Sequence, residues 1–163
     1  FFQLAPVFGI DKDLGTKKCI GKYVNPVTEG TFVMEDTPNI GESMVENPGV
    51  YCKSANVSVL AANGKTPLIT LNQFGAGKAM YLSSFRVSKE STRFLMRALL
   101  TLLGKEDKVR DYICDNLYTE CAYYEEIDKL VVINNSGDTQ KTIIKTAKGD
   151  VTVELAPFAT KIL

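Results

Sequence analysis

The sequence contains no histidine, and this absence excludes several kinds of chemistry. Ser-His-Asp and Cys-His catalysis both need an imidazole as general base, and the common mixed zinc sites need it as a ligand. None of these arrangements is available to a chain of 163 residues without His. Any chemistry of this chain must therefore use carboxylates, hydroxyls, amines or thiols.

The chain also lacks an excess of charge of either sign. Its 19 basic residues balance 19 acidic ones, whereas nucleic acids and anionic membrane surfaces attract a basic footprint. No run reaches the roughly 18 apolar residues of a membrane span, and no stretch has the pattern of a signal peptide. We therefore expect a soluble globular protein whose main partner is neither nucleic acid nor membrane.

Cysteine is sparse, and the four cysteines share no CxxC spacing: Cys19, Cys52, Cys114 and Cys121. A chain of this length buries enough core to fold without disulfides, so we predict reduced, mostly buried thiols and a cytoplasmic location. Disulfide pairing is the alternative. The sequence also begins Phe1-Phe2 without an initiator Met. Because adjacent exposed phenylalanines are unusual in a monomer, we expect this chain to be a fragment of a larger protein.

The clearest local pattern is a β-hairpin followed by a helix. Strands are predicted over 67–74 and 78–83, joined by a Gly-Ala-Gly turn in which glycine can adopt positive φ. A helix is predicted over 88–103, with Ser88 as N-cap, Glu90 in the first turn and Gly104 as the stop. Its three- and four-residue apolar spacing predicts one buried face: Phe94, Leu95, Ala98, Leu99, Leu102 and Leu103.

The N-terminal third is less regular. Residues 2–14 predict a short helix or irregular segment ending near Gly15, and residues 21–33 predict a strand broken by Pro26. The segment 35–48 is rich in turn-forming residues and predicts an exposed loop. Two short strands are predicted over 50–53 and 56–62, and the Asn63-Gly64 dipeptide predicts the turn that follows.

The C-terminal third changes to an apolar period of two. A short helix over 105–116 precedes five strand-sized runs: 118–125, 129–134, 141–147, 151–155 and 159–163. Short strands separated by turn-forming residues are typical of a small antiparallel β-sandwich. The predicted fold class is thus α/β followed by all-β, with domains at 1–110 and 111–163 and a boundary between Gly104 and Asn116.

Few residues resemble an active site. The segment Gly75–Lys78 could cradle phosphate, but it lacks Walker spacing and precedes a strand, so a hairpin turn is favoured. Cys121 has no visible activating base and is interpreted as a packed thiol. An acidic cluster is read as a solvated turn rather than a carboxylate pair or calcium site: Glu125, Glu126 and Asp128.

Two further groups have functional and structural interpretations. Three tyrosines could stack on a sugar, although Tyr is equally common where domains meet: Tyr118, Tyr123 and Tyr124. Three arginines could face a neighbouring domain, although ordinary solvation is favoured: Arg86, Arg93 and Arg97. We therefore predict no catalytic, cofactor-binding or metal-binding residue.

Several segments carry a resemblance to a known family. The runs Leu71–Ser83 and Ser91–Leu100 resemble the hairpin and helix of galacto-N-biose/lacto-N-biose phosphorylases, glycoside hydrolase family 112. The opening Phe2–Asp11 resembles the entry to the same domain. The segments Val131–Ser136 and Leu155–Leu163 are similar to the family's C-terminal β domain. Family 42 β-galactosidases have a similar hairpin and are the alternative.

The resemblance implies the C-terminal part of a glutamine-amidotransferase-like α/β domain, a β domain, and a non-catalytic role in stability and assembly. The intact enzyme would phosphorolyse β-1,3-galactosyl-N-acetylhexosamines to galactose 1-phosphate with inversion, using phosphate as co-substrate and no cofactor. Its general acid would lie on a barrel outside this chain, so the fragment alone would be inactive. The implied partners are the barrel domain and a second copy in a homodimer. The other alternative is a stand-alone carbohydrate-binding or interaction module.

Overall fold

The computed structural model describes residues 2–15, 21–109 and 111–163. Cys19 lies outside the described residues. The chain divides into two compact units, Phe1–Gly104 and Lys105–Leu163, called unit 1 and unit 2. Within the described residues no helix is long and apolar enough to cross a membrane.

Unit 1 is built mainly from antiparallel strands with one long helix. Its helices are α1 (Ala5–Phe8) and α2 (Lys89–Leu102), with 3-10 turns at Phe32–Met34 and Ile40–Ser43. Its strands are β1 (Ile10–Lys12), β2 (Val50–Cys52), β3 (Ser58–Asn63), β4 (Thr66–Phe74) and β5 (Gly77–Leu82). They form a two-stranded sheet, β1-β2, and a three-stranded sheet in the order β3-β4-β5.

Both predicted hairpins of unit 1 are confirmed, and each uses a two-residue turn. Phe74 pairs with Gly77, so Gly75 and Ala76 form the tip, and Gly75 has a φ of +57°. In the other hairpin Asn63 pairs with Thr66. The turn there is Gly64-Lys65, one residue later than the predicted dipeptide.

The predicted helix is confirmed with both of its ends, but its predicted buried face is wrong in part. Phe94 and Ala98 pack into the main core of unit 1, whereas Leu95, Leu99 and Leu103 are exposed. The buried positions of α2 include three polar residues, Ser91, Arg97 and Thr101. Periodicity identified two apolar sides of this helix, and the core of unit 1 covers only one of them.

The segment before β2 differs from its prediction. The strand predicted over 21–33 is wrong, because the described part of this region makes only isolated bridges, Tyr23 to Cys52 and Val27 to Val59. The exposed loop predicted over 35–48 is wrong in part. It contains a 3-10 turn whose Ile40 enters the main core, and Thr37 is also buried.

The Asp11 carboxylate of β1 accepts backbone hydrogen bonds and lies close to a lysine. Its Oδ1 accepts hydrogen bonds from the amides of Phe2 at 3.0 Å and Lys12 at 2.8 Å. The Lys53 Nζ lies 3.7 Å from its Oδ2. Burial alone would raise the pKa of Asp11, but these hydrogen bonds and the lysine outweigh it, so the pKa is lowered.

Unit 2 consists of two three-stranded antiparallel sheets. Its strands are β6 (Ile113–Cys114), β7 (Thr119–Tyr124), β8 (Lys129–Asn134), β9 (Gln140–Lys145), β10 (Val151–Leu155) and β11 (Thr160–Ile162). The sheet orders are β10-β9-β6 and β11-β8-β7. One apolar cluster takes residues from both sheets, among them Val132 of β8 and Ile144 of β9.

The five predicted strands of this region are confirmed, and β8 and β10 have the predicted ends. The helix predicted over 105–116 is wrong. Its described residues, 105–109 and 111–116, form a 3-10 turn at Glu106–Val109 and no α-helix. Tyr112 has a φ of +62°, which no right-handed helix tolerates. The chain then enters β6, a strand that the sequence did not predict.

Candidate functional site

The N-terminus of α2 is fixed by reciprocal hydrogen bonds. The Ser91 amide donates to the Ser88 hydroxyl at 3.1 Å, and the Ser88 amide donates to the Ser91 hydroxyl at 2.8 Å. This is the capping-box geometry, with Ser in place of the usual Glu or Gln. Hydrogen bonds from its own amide and from Ser88 lower the pKa of Glu90 in the first turn. Glu90 is therefore ionised at neutral pH and is unsuited to act as a general acid.

A cleft of about 540 Å³ lies beside this helix end. It is lined by the segments 36–40 and 86–88 together with Ser43 and Glu90. Most of its exposed lining is apolar, and its charged lining residues are Asp36, Arg86 and Glu90. Thr37 is only 5% exposed, and its hydroxyl has no hydrogen-bond partner. The cleft contains two carboxylates, those of Asp36 and Glu90.

Below the cleft lies a buried charged cluster centred on Arg97. This side chain is 3% exposed and donates from Nε to the Asp36 Oδ2 at 2.6 Å. Its Nη1 donates to the Glu35 Oε2 and to the Phe32 carbonyl, both at 3.0 Å. The guanidinium also lies 4.4 Å from the centroid of the Phe32 ring.

Arg93 completes this cluster, with its Nη1 3.6 Å from the Asp36 carboxylate. Asp36 is thus shared by two guanidinium groups one helical turn apart. Neither Arg93 nor Arg97 is solvated in the way the sequence favoured. They bind the segment 32–36 to α2. The cluster has a structural role, because both guanidinium groups are used in ion pairs with Asp36.

The other predicted motifs do not come together in one place. Gly75–Lys78 forms the tip and first residues of the β4-β5 hairpin, as the favoured interpretation predicted. The sulfur of Cys121 lies 3.0 Å from the Tyr112 carbonyl and packs with the core of unit 2. In the described part of the chain no disulfide joins Cys52, Cys114 and Cys121. Burial raises the pKa of Cys52, which disfavours its thiolate form.

The acidic cluster of unit 2 forms a turn. Glu125 begins a 3-10 turn, and Asp128 has a φ of +47°. The Asp128 carboxylate accepts from the Tyr123 hydroxyl at 2.7 Å and from the Lys148 Nζ at 3.0 Å. These contacts lower the pKa of Asp128 and raise that of Tyr123. Within the described ranges no group of three or more Cys, Asp or Glu residues is arranged to hold a metal.

The three tyrosines do not form one sugar-stacking platform. Tyr123 stacks on Tyr112, with ring centroids 4.0 Å apart and planes 3° from parallel. Tyr118 and Tyr124 are exposed, but Tyr118 precedes β7 and Tyr124 ends it, which separates them by about 20 Å. The sequence did not predict the stacking of Tyr112 on Tyr123. Tyr112 has a positive φ, and no sequence signal marks that conformation in a residue other than glycine.

Comparisons with known proteins cover nearly the whole chain. The family model described as "Lacto-N-biose phosphorylase central domain" matches residues 1–107. The model described as "Lacto-N-biose phosphorylase C-terminal domain" matches residues 112–163.

Individual relatives agree with these matches. A D-galactosyl-β-1→4-L-rhamnose phosphorylase of Lachnoclostridium phytofermentans is 33% identical over 99% of this chain and 22% of its own length. A 1,3-β-galactosyl-N-acetylhexosamine phosphorylase of the same organism is 30% identical over 91% of this chain and 20% of its own length. Its namesake from Bifidobacterium longum subsp. longum is 28% identical, again over 91% of this chain, and is covered over 24% of its length.

The chain thus spans about a fifth to a quarter of the length of the curated relatives it matches. Both family matches follow one another along the sequence without overlap. The chain belongs to the lacto-N-biose phosphorylase family, with residues 1–107 matching its central domain and residues 112–163 its C-terminal domain.

Proposed function

We propose that this chain is the non-catalytic C-terminal portion of an enzyme that cleaves β-galactosyl disaccharides with inorganic phosphate. The products would be galactose 1-phosphate and the sugar released from it. The observation that carries the proposal is the pair of family matches across residues 1–107 and 112–163. The relatives' names, all phosphorylases of β-galactosyl sugars, support the reaction class.

The non-catalytic role is supported by what the side chains near the cleft are already doing. Asp36 is bound by Arg97 and Arg93, and Glu90 accepts hydrogen bonds at the helix end that lower its pKa. Inverting glycoside chemistry requires an acid that is protonated when the leaving group departs. Glu90 is unsuited to that role, and the Asp36 carboxylate is already engaged by two guanidinium groups, so the general acid would lie elsewhere in the complete protein.

The proposal includes the finer architecture that the resemblance implies. Unit 1 would be the last part of a glutamine-amidotransferase-like α/β domain, completed by preceding strands and helices. The two sheets of unit 2 would form a small β-sandwich, a reading supported by the apolar cluster they share. The proposed location is the cytoplasm, where thiols such as those of Cys52, Cys114 and Cys121 would stay reduced.

The substrate proposed is a β-1,3-galactosyl-N-acetylhexosamine, and the β-1,4-galactosyl-rhamnose named for one relative is the competing acceptor class. The relatives of the two classes are 33% and 30% identical to this chain. These values are too similar to favour either acceptor. Acceptor contacts would also lie largely outside this chain, where the proposed barrel binds the sugar.

The test is an assay of the complete gene product with galacto-N-biose and with galactosyl-β-1,4-rhamnose, each with and without inorganic phosphate. Phosphate-dependent release of galactose 1-phosphate is the expected result, and the better disaccharide identifies the acceptor. Free galactose released without phosphate would instead indicate a family 42 hydrolase. A complete gene product that contains no other domain would overturn the proposal.

The non-catalytic role has its own test in the same enzyme. Glu90→Gln and Arg86→Ala change the charged groups of the cleft without touching the Arg97 cluster. Turnover should remain near that of the unchanged enzyme for both variants. Loss of kcat in a variant that remains folded would place catalytic chemistry in this chain. Tyr118→Ala and Tyr123→Ala test the carbohydrate-binding alternative, which requires saturable sugar binding that these changes abolish.

A further inference from the structure

The outer face of α2 is apolar where a solvent-facing helix surface normally carries charge. Four of its side chains are between 38% and 67% exposed, and we call them the outer face: Leu95, Met96, Leu99 and Leu103. Each residue advances the helix by about 100°. Counted from Phe94, which is fully buried in the core of unit 1, Leu95 and Leu99 therefore lie about 100° and about 140° around the helix, and Met96 and Leu103 lie nearly opposite.

The charged residues of this helix point the other way. From Thr92 to Leu103 the only charged side chains are Arg93 and Arg97. Both are directed to Asp36, at 3.6 Å and 2.6 Å. The helix thus buries its charge inside unit 1 and presents its leucines outward, the reverse of ordinary amphipathic order. A helix that is apolar on both sides is typical of an element packed between two layers.

The chemistry of the face selects the kind of partner. An interfacial helix that lies on a membrane carries Lys or Arg on its polar side, and α2 has no cation on its exposed positions after Lys89. A patch of uncharged aliphatic side chains instead suits another apolar protein surface. The curated relatives are about four to five times as long as this chain. The matched domains are named central and C-terminal, which places most of that additional length before residue 1.

From these observations we infer that the outer face of α2 packs against the preceding part of the same polypeptide. The inference rests on the proposed function, because it requires this chain to be a portion of a longer enzyme. It assigns α2 the role of a layer shared by unit 1 and the rest of the protein. Leu99 would be its central contact, since it lies one turn from both Leu95 and Leu103 on the same side of the helix.

Met96 allows the inference to be tested in the unaltered protein. Hydrogen peroxide converts accessible methionine to the sulfoxide, and burial slows the reaction. In the complete gene product, peptide mass spectrometry should show that Met96 oxidises at least about tenfold more slowly than methionine in a denatured control. Oxidation at the denatured rate would overturn the inference, because Met96 is 44% exposed when the outer face is uncovered.

A pair of variants adds a specific control. Leu99→Glu introduces a charge at the centre of the outer face, and Val24→Glu introduces the same charge at an exposed apolar residue outside α2. Leu99→Glu should restore most of the Met96 oxidation rate, whereas Val24→Glu should leave Met96 protected. Equal effects of the two variants would contradict a specific contact at α2.

The remaining outcomes distinguish the preceding polypeptide from a second copy as the partner of the outer face. They also distinguish failure of this inference from failure of the proposed function. Protection that disappears in the monomer fraction on dilution would assign the outer face to a second copy and overturn the present inference. Phosphate-dependent turnover with unprotected Met96 would leave the proposed function standing and refute the docking. Protected Met96 without phosphate-dependent turnover would refute the proposed function and leave the packing of the outer face standing.

Discussion

Replacing Arg97 with methionine removes the centre of the charged cluster while keeping much of the side-chain volume. Three contacts disappear, to Asp36, Glu35 and the Phe32 carbonyl. Truncating one partner of a buried ion pair costs about 3–5 kcal/mol, chiefly because the other charge is left unpaired. We expect unit 1 to lose stability by an amount near the lower end of this range.

The exposure of the partners justifies the lower end. Glu35 has a side chain that is 54% exposed, so water replaces its partner at little cost. Asp36 is only 15% exposed, but Arg93 remains 3.6 Å from its carboxylate. A loss of about 3 kcal/mol corresponds to about 150-fold in the opening equilibrium of α2, since 1.4 kcal/mol is tenfold.

Amide hydrogen exchange of α2 peptides in the complete protein measures this loss directly. Arg97→Met should accelerate exchange by about two orders of magnitude. Arg97→Lys retains the charge but not the planar fork of hydrogen-bond donors. Its exchange rate should therefore lie between those of the unchanged protein and Arg97→Met. Glu35→Gln is the matched control and should change exchange by less than about fivefold, or 1 kcal/mol. Acceleration below that level for Arg97→Met would refute the reasoning and show that apolar contacts hold the 32–36 segment.

Two further predictions concern unit 1. Gly9→Ala should lower the free energy of unfolding by about 3 kcal/mol, because a φ of +68° is strained for alanine and the new Cβ would lie 2.5 Å from Val57 and 2.8 Å from Asn72. Gly75→Ala, at a φ of +57° with open space around it, should lower it by only about 1 kcal/mol. Equal losses of the two variants in urea unfolding would contradict this account. The pKa of Asp11 is lowered in the folded state, so its stabilisation is present above the unfolded pKa and is lost as the pH falls through the folded one. Asp11→Asn should therefore flatten the acid side of a plot of Tm against pH, and an unchanged acid side would show that the carboxylate is not stabilising.

Local signals were sufficient for the elements whose causes are local. The strand ends of β8 and β10 follow from the turn-forming residues on either side, and the ends of α2 follow from Ser88 and Gly104. The β4-β5 turn follows from its glycines. In each case the deciding interaction lies within a few residues, so the sequence contains the whole cause.

The failures all have causes that are distant in sequence. Arg97 turns inward because Asp36, 61 residues earlier, accepts from it, and no periodicity in α2 indicates that partner. Tyr112 ends the predicted helix because it adopts a left-handed conformation beside Tyr123. The hydrophobic pattern of α2 was real, but it also counted the outer face, which the described residues of unit 1 do not cover.

The distance in sequence between Asp36 and Arg97 has a consequence for synthesis. At about 5–20 residues per second, a ribosome needs about 3–12 s after Asp36 to add the 61 residues up to and including Arg97. During this interval Val33, Met34 and Ile40 are already made, while Phe94, which shares their core cluster, is not. Apolar side chains of the future core therefore stay exposed on the nascent chain for seconds. During this period a holdase chaperone could bind them.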